Sequence, residues 1–160
     1  MQDLKDKVIA ITGGATGIGF ALAKTLGQDG AKIIIGETRK EKLEEAVKIL
    51  RDLDIESYET LLDVTNLRSV EEFAEFTIKS FGHVDILINN AGISGARGRI
   101  DKVDINEAKN VFDVNFFGVW HGCAVFSKKM IEQGRSAAIY NLGSENSLFI
   151  AVPKSVAYVA

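Results

Sequence analysis

Cysteine, histidine and proline are all scarce in this sequence, and each scarcity removes a class of protein. The single cysteine, Cys123, can close no disulfide within the chain, so the fold must rest on its apolar core, and a lone thiol of this kind is most often a small buried hydrophobe. The two histidines, His83 and His121, stand far apart and have only one thiol to join them, a set that matches no ligand spacing, and no metal site is expected. The one proline, Pro153, marks no linker, and repeats and low-complexity tracts are missing, so residues 1–160 read as one continuous domain. No apolar run approaches the length of a membrane span, and the N-terminus alternates charges where a signal peptide needs an apolar stretch. A cytoplasmic location is expected. Basic excess is missing too: 19 Lys and Arg against 22 Asp and Glu give a formal net charge of -3, which leaves little to neutralise a phosphate backbone and argues against a nucleic-acid partner.

Apolar residues, by contrast, are plentiful. They make up 46% of the chain against 26% charged residues, the balance of an ordinary soluble globular protein with a sizeable core. Short β-prone runs at Val8 to Thr12, Lys32 to Gly36, Ser57 to Leu62, Val84 to Asn89 and Ala137 to Leu142 predict five strands. Between them, Leu43, Ala46, Val47, Leu50 and Leu53 recur at helical spacing, as do Val70, Phe73, Ala74 and Thr77. A longer helix is predicted from about Ile105 towards Met130, with Val111, Phe112, Val119 and Trp120 along its apolar side, and Trp120 with Phe116 and Phe117 as helix-packing surface. Strands with few polar interruptions, alternating with amphipathic helices, point to a doubly wound parallel α/β sheet buried on both faces.

Chemistry first enters where strand one ends. Thr12-Gly13-Gly14-Ala15-Thr16-Gly17-Ile18-Gly19 joins that strand to a helix beginning near Ile18. Gly13 permits a tight turn, Gly17 lets the backbone approach a pyrophosphate, and Gly19 lets helix and sheet pack closely, while the helix N-terminus offers unpaired N–H groups. No Lys-Ser or Lys-Thr pair follows, which removes a Walker-type loop. Gly13, Thr16, Gly17, Ile18 and Gly19 are therefore candidate cofactor-binding residues. Glu37 stands directly beyond Ile33-Ile34-Ile35-Gly36, where a carboxylate can accept from ribose hydroxyls and would repel a 2′-phosphate. NAD is favoured over NADP, although Arg39 lies nearby.

Three further motifs follow in order: Asp63-Val64 after strand three, Asn89-Asn90-Ala91-Gly92 at the end of strand four, and Asn115 within Val114-Asn115-Phe116-Phe117-Gly118. Asn89 and Asn90 can satisfy backbone groups of neighbouring loops. Asn115 is a poor residue for mid-helix and suggests a bent or hydrated helix. With the glycine pattern, these motifs resemble the classical short-chain dehydrogenase/reductase family over essentially the whole length.

The resemblance implies a Rossmann-type sheet of order 3-2-1-4-5-6, with strands one to five present and later strands missing. It implies that Asp63 accepts from the adenine amino group, that Val64 packs on the ring, and that Asn90, Ala91 and Gly92 lie beside the cofactor. It further implies that Tyr158 exchanges a proton with substrate, that Ser144 bonds the substrate oxygen, and that Asn115 holds a water of a proton relay. Ser144 stands one residue farther from Tyr158 than the family pattern has it, which leaves Ser147 as a weaker candidate. Glu145 either orients a substrate hydroxyl or faces solvent, the second being the expectation. The lysine of the Tyr-x-x-x-Lys motif would fall two residues past Ala160, so the chain is expected to be a C-terminally incomplete piece, inactive alone. In the complete protein, hydride transfer between NAD(H) and a secondary alcohol or ketone is expected, in a homo-oligomer acting on a small molecule. The alternative is a non-catalytic nucleotide-binding or interaction protein on the same fold.

Overall fold

The structure is a computed structural model and describes residues 4–95, 97–145 and 157–158. Among these residues the five predicted runs form strands β1 (Val8–Thr12), β2 (Lys32–Glu37), β3 (Ser57–Leu61), β4 (Ile86–Asn89) and β5 (Ala138–Asn141). They pair in the order β3-β2-β1-β4-β5, every pair parallel. The helices are α1 (Gly17–Gln28), α2 (Lys40–Asp52), α3 (Leu67–Phe81), α4 (Ile105–Phe112) and α5 (Gly118–Glu132), the last two joined by a π-helical turn over Asp113–Phe117.

The continuous apolar strands are explained by what covers them. Val8, Ile9, Ala10 and Ile11 of the central strand are fully buried, because successive side chains point to opposite faces and both faces are packed. Ile9, Ile11, Ile33, Ile35 and Ile88 meet Ala23 of α1 and Leu43, Ala46, Val47 and Leu50 of α2. On the opposite face, Ala10, Ile34 and Leu87 meet Val70, Phe73 and Ala74 of α3 with Phe126 and Met130 of α5. Phe73 and Phe126 are fully buried with ring centroids 5.7 Å apart, and truncating either to alanine is expected to cost about 3–5 kcal/mol. The helix α3 is delimited by its own termini: Asn66 accepts from the N–H groups of Arg68 and Ser69, and Gly82 closes the other end at φ 83°. Chain direction reverses its lateral sense between β1 and β4, and such a switch point opens a crevice beyond the carboxyl ends of the strands.

The strands match the predicted ones with end corrections. β2 runs one residue longer and so carries Glu37 on the ladder, while β3 and β5 are shorter. β4 starts at Ile86 rather than Val84, because the Gln133 side chain takes both backbone groups of Val84, accepting from its N–H at 3.1 Å and donating to its carbonyl at 2.7 Å. Next to it, Asp85 is buried beneath the amino ends of the strands, accepts from the Val8 N–H at 2.9 Å and lies 3.0 Å from the His83 ring, with Lys7 and Arg135 at 3.6 and 3.8 Å.

The predicted long helix needs a larger correction. Its extent holds, but the π turn interrupts it; Val111 is buried as predicted, while the rest of the buried face is Gly118, Gly122, Phe126 and Met130 rather than Phe112 and Trp120, with Val119 half-buried. Phe112 and Trp120 are 40% and 64% exposed. Trp120 is two residues from both Gly118 and Gly122, about 200° around the helix, so it points away from the sheet. Phe116 and Phe117 are exposed with it, and Phe116 stacks on the Trp120 ring. Hydropathy alone misplaces this face because two of its close approaches are made by glycines, Gly118 against Val64 and Gly122 against Asn89 of β4.

Candidate functional site

The crevice at the carboxyl ends of the strands is floored by the β1–α1 loop. Gly17 adopts φ 55°, and a side chain there would meet nothing within 4 Å; the bare backbone faces open space in which an anionic group can stand. Gly19 has the opposite need, since a Cβ would collide with the Asn90 amide and the Gly13 carbonyl. Thr16 caps α1 in position only: its side chain makes no capping bond, and no acidic residue occupies the first turn. The N–H groups of that turn are thus left to whatever enters the crevice.

The loops after β1 and β4 are locked together. The Asn90 amide donates to the carbonyls of Thr12 and Gly13 at 2.9 and 3.0 Å, and the Thr12 hydroxyl accepts from the N–H groups of Asn90 and Ala91, each at 3.0 Å. Asn89 donates to the Asn141 side chain at 2.8 Å, and the Leu142 N–H reaches the Asn89 carbonyl, so the ends of β4 and β5 are tied as well. Cys123 lies half-buried, 3.6 Å from both amides, and is not the fully buried hydrophobe expected.

Glu37 closes one end of the crevice. Its carboxylate is 8% exposed and is held by the Arg39 guanidinium, Nε to Oε1 at 3.1 Å and Nη2 to Oε2 at 3.0 Å, and by the backbone and hydroxyl of Thr38. Burial alone would push this carboxyl up, but the bonds from Arg39 and Thr38 outweigh it and hold Glu37 below the usual carboxylate range. The same Arg39 Nη2 donates to Thr16 at 3.1 Å, bridging the glycine loop to β2. Beside it, Asp63 accepts from the N–H and hydroxyl of Thr65 through one oxygen, an Asx turn that leaves the other oxygen outside that contact.

At the other end the predicted bend at Asn115 is realised as the π turn, in which the Gly118 N–H donates to the Asp113 carbonyl. The Asn115 side chain grips one peptide unit of the β4–α4 loop: it accepts from the Ile93 N–H and donates to the Ile93 carbonyl, both at 2.9 Å. The amide is therefore a loop clamp, a role that no local pattern announces. Ser144 is half-buried just beyond β5, Glu145 is exposed as expected, and Tyr158 is half-buried; Ser147 lies outside the described residues.

One cleft of about 960 Å³ joins these features. It is lined by Gly13, Thr16, Gly17, Ile18, Glu37, Asp63, Val64, Asn90, Ala91 and Gly92 and equally by Asn115, Ser144 and Tyr158. Of the predicted site residues among those described, only Gly19 does not face it, being buried under Asn90. Ile93, Phe112, Phe116 and Leu142 also line the cleft; as apolar residues in apolar runs they carry no signal that separates them from core. Among the described residues no group of acidic, histidine and cysteine side chains is arranged to hold a metal, and no helix is long and apolar enough to cross a membrane.

Comparison with known proteins agrees with this geometry. A family model described as short chain dehydrogenase matches residues 7–160. The C alpha-dehydrogenase of Sphingobium sp. (strain NBRC 103272 / SYK-6) is 35% identical over 144 residues, covering 90% of this chain and 47% of that protein. An oxidoreductase of Staphylococcus saprophyticus is 33% identical, with 100% of this chain and 68% of that protein covered. Among solved structures, a short chain dehydrogenase/reductase from Burkholderia phymatum in complex with NAD superposes with a TM-score of 0.94 at 33% identity, over 99% of this chain and 56% of that one. The actinorhodin polyketide ketoreductase with NADPH superposes at 0.91 and 27% identity, over 96% of this chain and 59% of that one. The chain spans about half the length of several of these relatives. Motifs, sheet order, crevice and relatives converge on one assignment: the chain belongs to the short chain dehydrogenase family of oxidoreductases.

Proposed function

We propose that the full-length protein transfers hydride between NAD(H) and a secondary alcohol or ketone. The observation that carries this reading is the continuity of the cleft, which has a buried, ionised Glu37 near one end and Ser144 and Tyr158 near the other. The residues present fit a dinucleotide. Gly17 opens onto free space at an uncapped helix N-terminus, where a pyrophosphate is stabilised without a basic side chain. Glu37 would accept the adenosine ribose hydroxyls, and its negative charge disfavours a 2′-phosphate. The Arg39 guanidinium is engaged by Glu37 and Thr16 and so is not held ready for that phosphate. Solved relatives bind NAD in one case and NADPH in another, so the preference for NAD rests on this carboxylate.

When bound, the nicotinamide ring supplies the hydride donor or acceptor. Ser144 hydrogen-bonds the substrate oxygen and orients it, and Tyr158 exchanges the hydroxyl proton at that oxygen. Asn115 acts at one remove, holding Ile93 and with it the loop that forms the cleft wall. Thr12 and Asn90 keep the two loops in register while ligand enters. The exposed cluster of Phe112, Phe116, Phe117 and Trp120 is suited to packing against a second copy, as expected of a homo-oligomer. The test is titration of the full-length protein with NADH and NADPH by nicotinamide fluorescence, followed by turnover with a panel of secondary alcohols. Saturable NADH binding, at least about tenfold tighter than NADPH, with NADH formed from an alcohol is the expected result. Equal affinities would remove the role given to Glu37, and binding without turnover would leave a nucleotide-binding protein.

A further inference from the structure

The wall of the cleft at Val64 is set by a helix that begins elsewhere in the site. Val64 lies in the loop between β3 and α3 and is 7% exposed, with one side against α5. Two residues of α5, one turn apart, fix it there. Gly118 admits the valine: a Cβ at this position would stand 2.7 Å from Val64 Cγ2 and 3.0 Å from its Cβ, and a stiff β-branched side chain can yield only by moving its backbone. His121 then holds that backbone, with ring Nδ1 2.9 Å from the Val64 carbonyl oxygen. Because the acceptor is a carbonyl, Nδ1 must carry the proton, which assigns the donor role to that nitrogen.

Gly118 also donates the bond that closes the π turn on Asp113. The turn that presents Asn115 to Ile93 therefore sets the rotation at which Gly118 and His121 meet Val64.

We infer that His121 is a positioning residue for the adenine end of the cleft, acting through the Val64 carbonyl, with Gly118 providing the clearance that lets it reach. The inference rests on the reading of the cleft as a dinucleotide site. It differs from a general packing role in predicting an effect confined to one half of the ligand. Removing the donor frees the Val64 peptide and loosens the surface on which a planar base would lie, while the end at Ser144 and Tyr158 is untouched.

The test uses the full-length protein and three probes, NAD, AMP and nicotinamide mononucleotide, titrated against wild type, His121→Leu, His121→Asn and Gly118→Ala. In His121→Leu, AMP and NAD affinities are expected to fall about fivefold, the scale of one hydrogen bond, and that of nicotinamide mononucleotide to stay within about twofold. The asparagine amide can donate from near the position of Nδ1, so His121→Asn is expected to recover most of the loss. Gly118→Ala keeps the donor but displaces Val64, and should weaken AMP in the same selective way; it also carries the test if the leucine variant does not fold. Equal weakening of all three probes, no rescue by asparagine, or unchanged AMP binding in both His121→Leu and Gly118→Ala would overturn the inference while leaving the dinucleotide site intact. Failure of the wild-type protein to bind NAD or AMP would overturn both.

Discussion

Two carboxylates are buried at opposite ends of this sheet, and they are used in different ways. Glu37 lies at the carboxyl end of β2, 8% exposed, with its oxygens held by Arg39 and Thr38 and one flank open to the cleft. Asp85 lies beneath the amino ends, 4% exposed, away from that cleft, and ties Val8 of β1 to the start of β4. Asp85 has Lys7, Arg135 and His83 around it, yet its Oδ1 makes no hydrogen bond. Burial and cationic neighbours therefore do not by themselves mark a functional group. The difference is the open flank at a strand's carboxyl end, where parallel strands and helix N-termini converge.

Substitutions can break this comparison. The largest expected effect belongs to neither carboxylate but to the end of the cleft opposite Glu37: Tyr158→Phe should lower kcat by about 100-fold or more, the usual contribution of a positioned proton donor, with NAD affinity unchanged in titration. Asp85→Ala should leave the Val8 N–H without its acceptor and cost about 1–3 kcal/mol of stability, read as a lower denaturant midpoint, while NAD binding in the folded protein stays within about twofold. A large binding defect in this variant would erase the distinction between the two ends. Glu37→Gln should do the reverse, weakening NAD about tenfold and narrowing the gap to NADP, because Arg39 is released as the carboxylate charge is lost.

The smallest effect sharpens the same point by pH. The folded protein holds the Glu37 carboxyl below its ordinary value, so its ionised form contributes stability that is present above the unfolded pKa of about 4.3 and is lost as pH falls through the lower folded value. The stability gap between wild type and Glu37→Gln should be flat from neutral pH down to about 5 and shrink below about 4. Arg39 is more than half exposed, so the gap itself should be small. A gap that grows on acidification would contradict the assigned sign.

How far the sequence discloses these features depends on how local they are. Strands β1 and β2, the glycine loop and Glu37 are written in contiguous residues, since a parallel strand covered on both faces is apolar over most of its length and a backbone that stands open to the cleft must lack side chains. The site residues past β4 are legible through motif resemblance. Their physical work is not: Asn115 clamps Ile93 from 22 positions away, and the Thr12 hydroxyl serves N–H groups 78 and 79 positions on. The exposed face of α4 and α5 is misplaced for the same reason, as the helix packs closely through Gly118, against Val64, and Gly122, against Asn89, which carry no apolar signal. A π turn adds one residue to the helical count and shifts every later position, and Asn115 is its only local hint.

The most direct measurement follows a single hydrogen. Full-length protein is incubated with NAD and secondary alcohols deuterated at the carbinol carbon, and the reduced cofactor is weighed by mass spectrometry. The expected result is reduced cofactor carrying the deuterium, and loss of that product in Tyr158→Phe. Reduced cofactor without deuterium, or none formed across the alcohols by a protein that binds NAD, would contradict hydride transfer as the function of this cleft.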